Sequence, residues 1–496
     1  MTDPRYHQPI PHPAESTPTP TPSPMPPAAS SATAGGTAWQ STPPWQAPGT
    51  AAGGRRTPRW VIALAITTAV LSVVAFTTVL LWPTGSARSG PLEFHPFVQV
   101  ARITYDQPSR TTFTSIEDDR VYVAWEQGGD LMVVAAQLAD GSELWRQRVT
   151  GSPRWGDVFA VDGAVVVVGA DSDGASRMYV LDDGGGAVLW QRDVTRHDWA
   201  STHGEYLIWY DAAGGWLRGV ELATGRESWS RRLSPDAISL FALVEEDLAR
   251  PTTTDGSLGV TSTDHRLVVV DEEQTAYTVD VRNGTVISQG ANLARTRDRL
   301  LAYEGRLYVA ADDRGFQVLS YALDDLNGLP RTHYRAGPEQ YPEKLEACGP
   351  DRICLLEKEG FLSDTIELVV VDIAEDRGEL WRQPAPDAET VVPVGPWVTV
   401  AGRDVPVLGF DGAGTEVLNR PGVLARLDPE NVLVFTERLR DSEQDLSVAG
   451  LTVAGEPPTE LGYLPDVVGV QCSWGGVYLT CPDRDGATIW RFAESP

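Results

Sequence analysis

The chain has 496 residues, a formal net charge of −28 and 37 prolines. Four arginines and two acidic residues give the first 59 residues a charge of about +2, so the rest carries about −30. This balance disfavours a nucleic-acid partner, because binding phosphate needs a clustered basic surface. The length exceeds that of one ordinary core and allows several domains or one large repeat fold.

Residues 1–58 form a tail that is rich in Pro, Thr, Ser, Ala and Gly, as in TPTPTPSPMPP. Such a composition buries too little apolar surface to offset chain entropy, so it predicts a disordered segment that samples polyproline conformations. A solvated spacer is the simpler interpretation. The alternative is a docking tail for a cytoplasmic partner, with Trp39 and Trp45 as anchors.

Residues 59–83 are predicted to form one transmembrane helix. The apolar run from Trp60 to Trp82 contains no charged residue, and as a helix it would span roughly 34 Å, against about 30 Å of hydrocarbon. Three arginines precede the run and only Arg88 follows closely. The positive-inside rule therefore places the N-terminus in the cytoplasm and everything after the helix outside it.

A cleaved signal peptide is the alternative to this anchor. Signal peptides usually have an apolar core of about 7–15 residues and a short leading region, whereas this run is longer and follows a long tail. The stretch TGSARSG after the run would still allow cleavage. Residues 84–94 are expected to be a linker to the domain that follows.

From residue 95 to 496, short β-rich runs such as RVYVAW and RLVVVD alternate with Gly, Asp and Asn turns. This pattern is typical of an all-β fold of antiparallel hairpins. Units of strand, tight turn and strand recur at separations of about 40–50 residues, the size of one four-stranded propeller blade. The tryptophans that recur after the turn are Trp145, Trp190, Trp229, Trp381 and Trp490.

Two of these units, GVELATGRESW and VLDDGGGAVLW, resemble the PQQ-like (quinoprotein-type) β-propeller repeat, whose blades end in a pattern close to A-x-D-x-x-T-G-x-x-x-W. The resemblance covers about residues 95–496 and implies that each recurring Trp packs between neighbouring blades. It also implies about eight four-stranded blades, within a range of seven to nine. Ring closure should pair the first strand, near residues 97–105, with the final strands around 477–492.

The four cysteines all fall on the predicted outer side, where thiols tend to oxidise. They are Cys348, Cys354, Cys472 and Cys481. Each neighbouring pair surrounds a turn, which predicts the disulfides Cys348–Cys354 and Cys472–Cys481. Zinc is less favoured, because C-x₅-C and C-x₈-C match the usual ligand spacings poorly. Free thiols remain the other alternative.

The sequence contains no recognisable catalytic, cofactor-binding or metal constellation. It lacks a G-x-S-x-G elbow, a phosphate-binding loop and H-E-x-x-H. His197 and His203 lie close together, but their spacing fits no familiar ligand pair. Asp171 and Asp173 resemble the start of a calcium loop that lacks its later ligands. Quinoprotein dehydrogenases carry adjacent cysteines near the quinone, which this protein lacks, so the resemblance implies the scaffold without the cofactor.

These observations predict a non-enzymatic binding or scaffold module that a single-pass helix holds at the cell membrane, with the propeller outside the cytoplasm. Its expected partner is an envelope protein or a glycan, and no cofactor or metal is expected. A similar propeller serves as a scaffold subunit in outer-membrane biogenesis, although a lipoprotein signal is lacking here. The alternative is a PQQ-dependent oxidoreductase, or another enzyme whose site is built from loops.

Overall fold

The computed structural model describes most of the protein after residue 89. The described ranges are 90–152, 154–161, 163–170, 176–195, 198–233, 238–243, 248, 252–253, 264–295, 297–312, 315–360, 365–374, 377–402, 405–440, 443–455, 457–467 and 472–494. The predicted tail and membrane helix lie outside these ranges. No helix within them is long and apolar enough to cross a membrane.

The described residues form 37 strands in nine antiparallel sheets, which are the blades of a propeller. Blades 1 to 3 are β2 (Thr112–Glu117), β3 (Arg120–Gln127), β4 (Asp130–Gln137) and β5 (Glu143–Val149); β6 (Arg154–Val161), β7 (Ala164–Ala170), β8 (Ser176–Asp182) and β9 (Val188–Val194); and β10 (Trp199–His203), β11 (Tyr206–Asp211), β12 (Trp216–Glu221) and β13 (Glu227–Arg232).

Blades 4 to 6 follow in sequence order. They are β14 (Ile238–Leu243), β16 (Arg266–Asp271), β17 (Ala276–Asp280) and β18 (Thr285–Gly290); β19 (Arg299–Tyr303), β20 (Arg306–Asp312), β21 (Phe316–Ala322) and β22 (Arg331–Arg335); and β23 (Gln340–Ala347), β24 (Arg352–Glu359), β25 (Ile366–Asp372) and β26 (Gly378–Pro384).

Blades 7 to 9 complete the ring. They are β27 (Thr390–Val394), β28 (Trp397–Ala401), β29 (Val407–Phe410) and β30 (Glu416–Arg420); β31 (Val423–Arg426), β32 (Asn431–Arg440), β33 (Glu443–Thr452) and β34 (Thr459–Leu464), with β15 (Thr252–Thr253) added; and β35 (Ser473–Gly475), β36 (Tyr478–Pro482), β37 (Gly486–Glu494) and β1 (Glu93–Thr104).

The ring closes as the sequence predicts, because β1 pairs with the last strand, β37, from Glu93 opposite Glu494 to Thr104 opposite Gly486. First strands of neighbouring blades contact each other, as β2 and β6 do, and therefore lie innermost. The count of nine exceeds the expected eight. Nine lies within the expected range of seven to nine. Blade 4 is the least regular blade, because Ser288 replaces the tryptophan and the segment between β14 and β16 includes β15, which pairs with β31 of blade 8.

Every blade carries a β-bulge in its outermost strand, where the register shifts by one residue. A bulge bends the strand and re-aims the side chain that follows it. We call the residue directly after the bulge the seam position, because it faces the next blade. In blades 1 to 9 the seam positions are Trp145, Trp190, Trp229, Ser288, Tyr334, Trp381, Leu418, Gly462 and Ala101.

Four of the five tryptophans singled out in the sequence occupy seam positions. Each indole N–H donates to a backbone oxygen of the next blade; for Trp229 the acceptor is Val281 O at 2.7 Å. Each ring also lies against a turn glycine whose φ is positive, as Trp229 does against Gly284. The other donor–acceptor pairs are Trp145 with Asp183, Trp190 with Leu222 and Trp381 with Gly412.

Trp490 differs from the other four tryptophans. It lies on β37, the third strand of blade 9, and its ring is 5.7 Å from that of Phe97. The reason is the closure of the ring: β1 supplies the outermost strand of this blade, so Ala101 takes the seam position and packs against Gly141. A local sequence pattern does not reveal this pairing between the two ends of the domain.

Both disulfides pair as the sequence favoured. The Cys348–Cys354 bond connects the residue just after β23 with β24 in blade 6, and its Cα atoms are 5.7 Å apart. The Cys472–Cys481 bond connects the residue just before β35 with β36 in blade 9, and its Cα atoms are 4.2 Å apart. Each bond therefore links neighbouring segments within one blade.

Candidate functional site

The sequence predicted no catalytic residue. Of the described histidines, His95, His203 and His333 lie on strands, and His265 lies directly before β16. His333 Nε2 is 2.7 Å from Ser320 Oγ, but Arg306 Nε donates to the same oxygen at 2.8 Å. Ser320 is completely buried, so its hydroxyl is not placed to attack a substrate. His197, Asp171 and Asp173 lie outside the described residues. Within the described ranges, no group of three or more His, Cys, Asp or Glu residues is arranged to hold a metal ion.

The nine blades allow an internal comparison at one position. In each blade, two residues from the bulge, one residue of the second strand faces one residue of the third strand, and both point toward the preceding blade. We call these two residues the groove pair. In blades 1 to 9 the groove pairs are Val123–Val134, Val167–Tyr179, Trp209–Arg218, Val269–Tyr277, Ala311–Gln317, Leu355–Val369, Val400–Leu408, Thr436–Ser447 and Cys481–Thr488. Only blade 3 combines an aromatic with a charged residue, so the fold itself does not require this pair.

Arginine and tryptophan side chains meet around this pair, in the groove between blades 2 and 3. The Cζ atom of Arg192 lies 4.6 Å from the ring centroid of Trp209, and that of Arg218 lies 5.4 Å from the same centroid. Trp190 and Trp216 lie 6.0 and 5.7 Å from the nearer guanidinium group. We call these five residues the Trp–Arg cluster. Cation–π attraction stabilises such an arrangement.

The two arginines of the cluster have different electrostatic surroundings. Arg218 donates to Asp211 Oδ2 at 3.0 Å and to Glu227 Oε2 at 2.6 Å. Arg192 forms no ion pair or hydrogen bond with any described residue, and its Nη1 is buried without an acceptor. Burial lowers the pKa of Arg192, and the like charge of Arg218 lowers it further. Glu227 acts in the opposite direction, but it pairs directly with Arg218, so only Arg192 lacks a direct ion pair.

Two more donors of the cluster lack acceptors. They are the Nε1 of Trp209 and the Nε of Arg218, both buried. A buried donor without an acceptor costs about 1–3 kcal/mol. Three buried donors without acceptors thus meet in one groove.

Sequence reasoning missed this cluster because it treated tryptophan as a marker of the blade repeat. A signal was present: five of the sixteen tryptophans fall between residues 190 and 229. The repeat needs only one per blade, at the seam position. Trp209 and Trp216 are in excess of that requirement, and blade 3 contains more tryptophans than any other blade.

The comparisons with known proteins agree with the observed fold. The family model described as "Outer membrane protein assembly factor BamB" matches residues 28–237 and 213–329, more than half of the sequence. The protein belongs to this family of PQQ-like β-propellers. No curated protein matches this sequence.

Similar solved structures include BamB from Moraxella catarrhalis, at 15% identity with a TM-score of 0.40, which covers 80% of this protein and 98% of that one. A eukaryotic initiation factor is 13% identical with a TM-score of 0.49, over 76% and 91% of the two proteins. Chaetomium thermophilum Sqt1, bound to the N-terminus of ribosomal protein L10, is 12% identical with a TM-score of 0.41, over 80% and 99%.

A second polar group in this BamB-family propeller lies between blades 5 and 6. The hydroxyl of Tyr334 donates to Glu357 Oε2 at 2.6 Å, and Arg382 Nη2 donates to that hydroxyl at 2.8 Å. Arg382 also pairs with Glu357, Glu367 and Glu379. Glu357 is only 1% exposed, and every donor around it has a partner. This group therefore stabilises the contact between blades 5 and 6, and none of its donors is left unsatisfied for a ligand.

Proposed function

We propose that this protein is a membrane-anchored scaffold module whose propeller binds a protein partner outside the cytoplasm. Membership of a propeller family described as an outer-membrane assembly factor supports the role of a protein-binding scaffold. The observation that carries the proposal is the departure of blade 3 from its own repeat. Eight groove pairs are compatible with simple blade packing, whereas the pair Trp209–Arg218 belongs to a cluster with three unsatisfied donors.

A protein fits this cluster better than a glycan does. Trp and Arg are the residues most enriched in the energetic centres of protein–protein interfaces. A glycan ring would need an open indole face, but the guanidinium groups of Arg192 and Arg218 already lie over the ring of Trp209. The cluster therefore favours contact with the polar groups of a protein.

The membrane anchor is part of the proposal, and the sequence supports it. The uncharged run from Trp60 to Trp82 and the arginines before it favour a cytoplasmic N-terminus. Protease added to intact spheroplasts is expected to degrade the domain from about residue 90 onward and to spare the N-terminal tail. Protection of the propeller would reverse the proposed orientation.

Site-specific crosslinking in cells tests the binding surface. A photo-crosslinking amino acid in place of Gln191, which is exposed beside Arg192, is expected to form an adduct with one discrete protein. Asn419 is the matched control, because it is also exposed and also directly follows a seam position, in blade 7. Full-length protein is then purified from detergent-solubilised membranes.

The proposal expects an adduct at position 191, none at position 419, and loss of the adduct when Trp209→Ala is added. Equal adducts at both positions would place the contact elsewhere on the propeller. If no adduct forms at position 191 while Trp209 is unchanged, the proposal of protein binding at the cluster is rejected.

A further inference from the structure

We infer that the Trp–Arg cluster receives a carboxylate group of the protein partner, and that the guanidinium of Arg192 holds it. This inference rests on the proposed function, because it names the chemistry by which the partner is recognised.

Two guanidinium groups and two carboxylates face each other in this groove, but they are not evenly matched. Both Asp211 and Glu227 bind Arg218, at 3.0 and 2.6 Å. Arg192 lies over the ring of Trp209, and no described carboxylate forms an ion pair with it; Glu227 acts on it only at longer range. A partly buried charge without a counter-ion is costly, so an anion that reaches Arg192 gains the free energy that the groove itself does not supply.

The donors of the cluster select the shape of that anion. A guanidinium presents a planar fork that matches the two oxygens of a carboxylate. The guanidinium of Arg192 lies over the indole of Trp209, and Arg192 Nη1 and Trp209 Nε1 both lack acceptors. A flat group with two acceptor oxygens could satisfy both after a small movement of side chains. Asp and Glu residues and the C-terminal carboxylate of a polypeptide supply such a group.

The surrounding charges favour a carboxylate over a phosphate. Asp211 and Glu227 lie on the same face of blade 3, and Asp193 directly follows Arg192. A phosphate monoester carries a charge of roughly −1.5 to −2 near neutral pH, so these carboxylates repel it more than they repel a single negative charge. The net negative charge of the whole domain acts weakly here, because salt screens it over about 8 Å.

The groove is accessible from the rim of the propeller. Arg192 lies on β9, the outermost strand of blade 2, and is half-buried between the exposed residues Gln191 and Asp193. A partner segment can therefore approach along the outer edge of blade 2.

A binding experiment on the full-length protein in detergent, at physiological salt, tests the inference. The probe is a fluorescein-labelled peptide of four glutamates flanked by glycines, and its control replaces the glutamates with glutamines. Fluorescence anisotropy is measured for the wild type and for Arg192→Gln. Arg232→Gln is the matched variant, because Arg232 is an exposed arginine of an outermost strand, in blade 3, and has no partner among the described residues.

The glutamate peptide is expected to bind the wild type and Arg232→Gln equally. Binding should weaken by about tenfold or more in Arg192→Gln, as expected for the loss of a charge-assisted contact. Arg192→Lys keeps the charge but loses the fork, so it should lie between the two. Thermal unfolding of each variant, followed by circular dichroism, confirms that the propeller is folded; if Arg192→Gln does not fold, Arg192→Lys decides.

Three results would overturn the inference: equal binding of the glutamine peptide, no measurable binding of the glutamate peptide, or stronger competition by inorganic phosphate than by the glutamate peptide. The crosslinking experiment separates this failure from a failure of the proposed function. An adduct at position 191 that persists in Arg192→Gln, together with any of these results, would leave protein binding intact and remove only the carboxylate. Absence of the adduct in the wild type would remove both.

Discussion

The seam between blades 3 and 4 and the seam between blades 5 and 6 use the same position for opposite chemistry. Trp229 fills it in blade 3, where its ring packs on Gly284 and its N–H donates to Val281 O. Tyr334 fills it in blade 5, where its hydroxyl joins Glu357 and Arg382. The bulge thus fixes the direction of the side chain in both blades, and the residue type decides what stabilises the seam.

This difference has consequences for stability. The Trp229 seam depends on dispersion, apolar burial and one neutral hydrogen bond, none of which changes with pH. The Tyr334 seam contains a buried carboxyl group, and burial raises the pKa of Glu357 above its ordinary value, against the opposing effects of Tyr334 and Arg382. Only the second seam should therefore respond to pH.

The largest expected effect is the loss of the tryptophan seam. Trp229→Ala should lower the free energy of unfolding by about 3–5 kcal/mol, the usual cost of deleting a large aromatic side chain from a packed site. The midpoint of urea unfolding, followed by circular dichroism on the full-length protein in detergent, measures it. Leu329→Ala is the control, because Leu329 is 96% exposed and should change stability by no more than about 0.5 kcal/mol. An unchanged midpoint for Trp229→Ala would show that the seam does not stabilise the ring.

The next effect tests the contact between Trp229 and Gly284 by changing the glycine. Gly284 and Gly305 have nearly equal φ angles, 69° and 70°, but a Cβ on Gly284 would meet the Trp229 ring at less than 3.0 Å, whereas a Cβ on Gly305 would meet nothing within 4 Å. Both Gly→Ala variants incur the strain of a positive φ. Gly284→Ala should be less stable than Gly305→Ala by about 1–3 kcal/mol, the cost of overpacking. Equal losses in urea unfolding would mean that the ring moves aside freely.

Part of this comparison could be predicted from the sequence. The recurring tryptophans and turn glycines predicted the repeat and the packing of Trp145, Trp190, Trp229 and Trp381, because strand, turn and Trp are close in sequence. The Tyr334 seam could not be predicted in the same way. Its members Tyr334, Glu357 and Arg382 belong to three strands of two blades, and no local pattern shows that they meet.

The same limit explains the other misses. Trp490 was assigned to the blade repeat because nothing near it in sequence shows that β1 completes its blade. Blade 4 departs from the tryptophan pattern because its seam residue is Ser288, whose hydroxyl accepts a hydrogen bond from Leu326 N at 2.8 Å. The Trp–Arg cluster is indicated in the sequence by the high number of tryptophans near Trp209. The absence of a direct ion pair at Arg192 is a property of the folded groove alone.

The hydroxyl of Tyr334 gives a smaller effect. Tyr334→Phe removes the donor to Glu357 and the acceptor of Arg382 Nη2. Leaving buried polar groups without partners costs about 1–3 kcal/mol, and urea unfolding near pH 7 should show this loss. Tyr321→Phe is the matched control, because Tyr321 is also buried but its hydroxyl has no hydrogen-bond partner among the described residues. Similar losses in the two variants would mean that the network adds nothing to the seam.

The smallest effect concerns pH, and its sign follows from the raised pKa of Glu357. A raised pKa means that the folded protein holds this proton more tightly than the unfolded polypeptide does. The group therefore contributes stability below the unfolded pKa, and this contribution is lost as the pH rises through the folded pKa.

Glutamine resembles the protonated acid at every pH. Glu357→Gln should thus have nearly the wild-type melting temperature at pH 4 and gain on the wild type as the pH rises to 8, as measured by thermal scans at both values. Glu359→Gln, an exposed change on the same strand, should give a nearly constant difference. A Glu357→Gln variant that loses stability relative to the wild type as the pH rises would show that the pair with Arg382 outweighs the cost of burying the charge, and the two seams would then differ in chemistry but not in their response to pH.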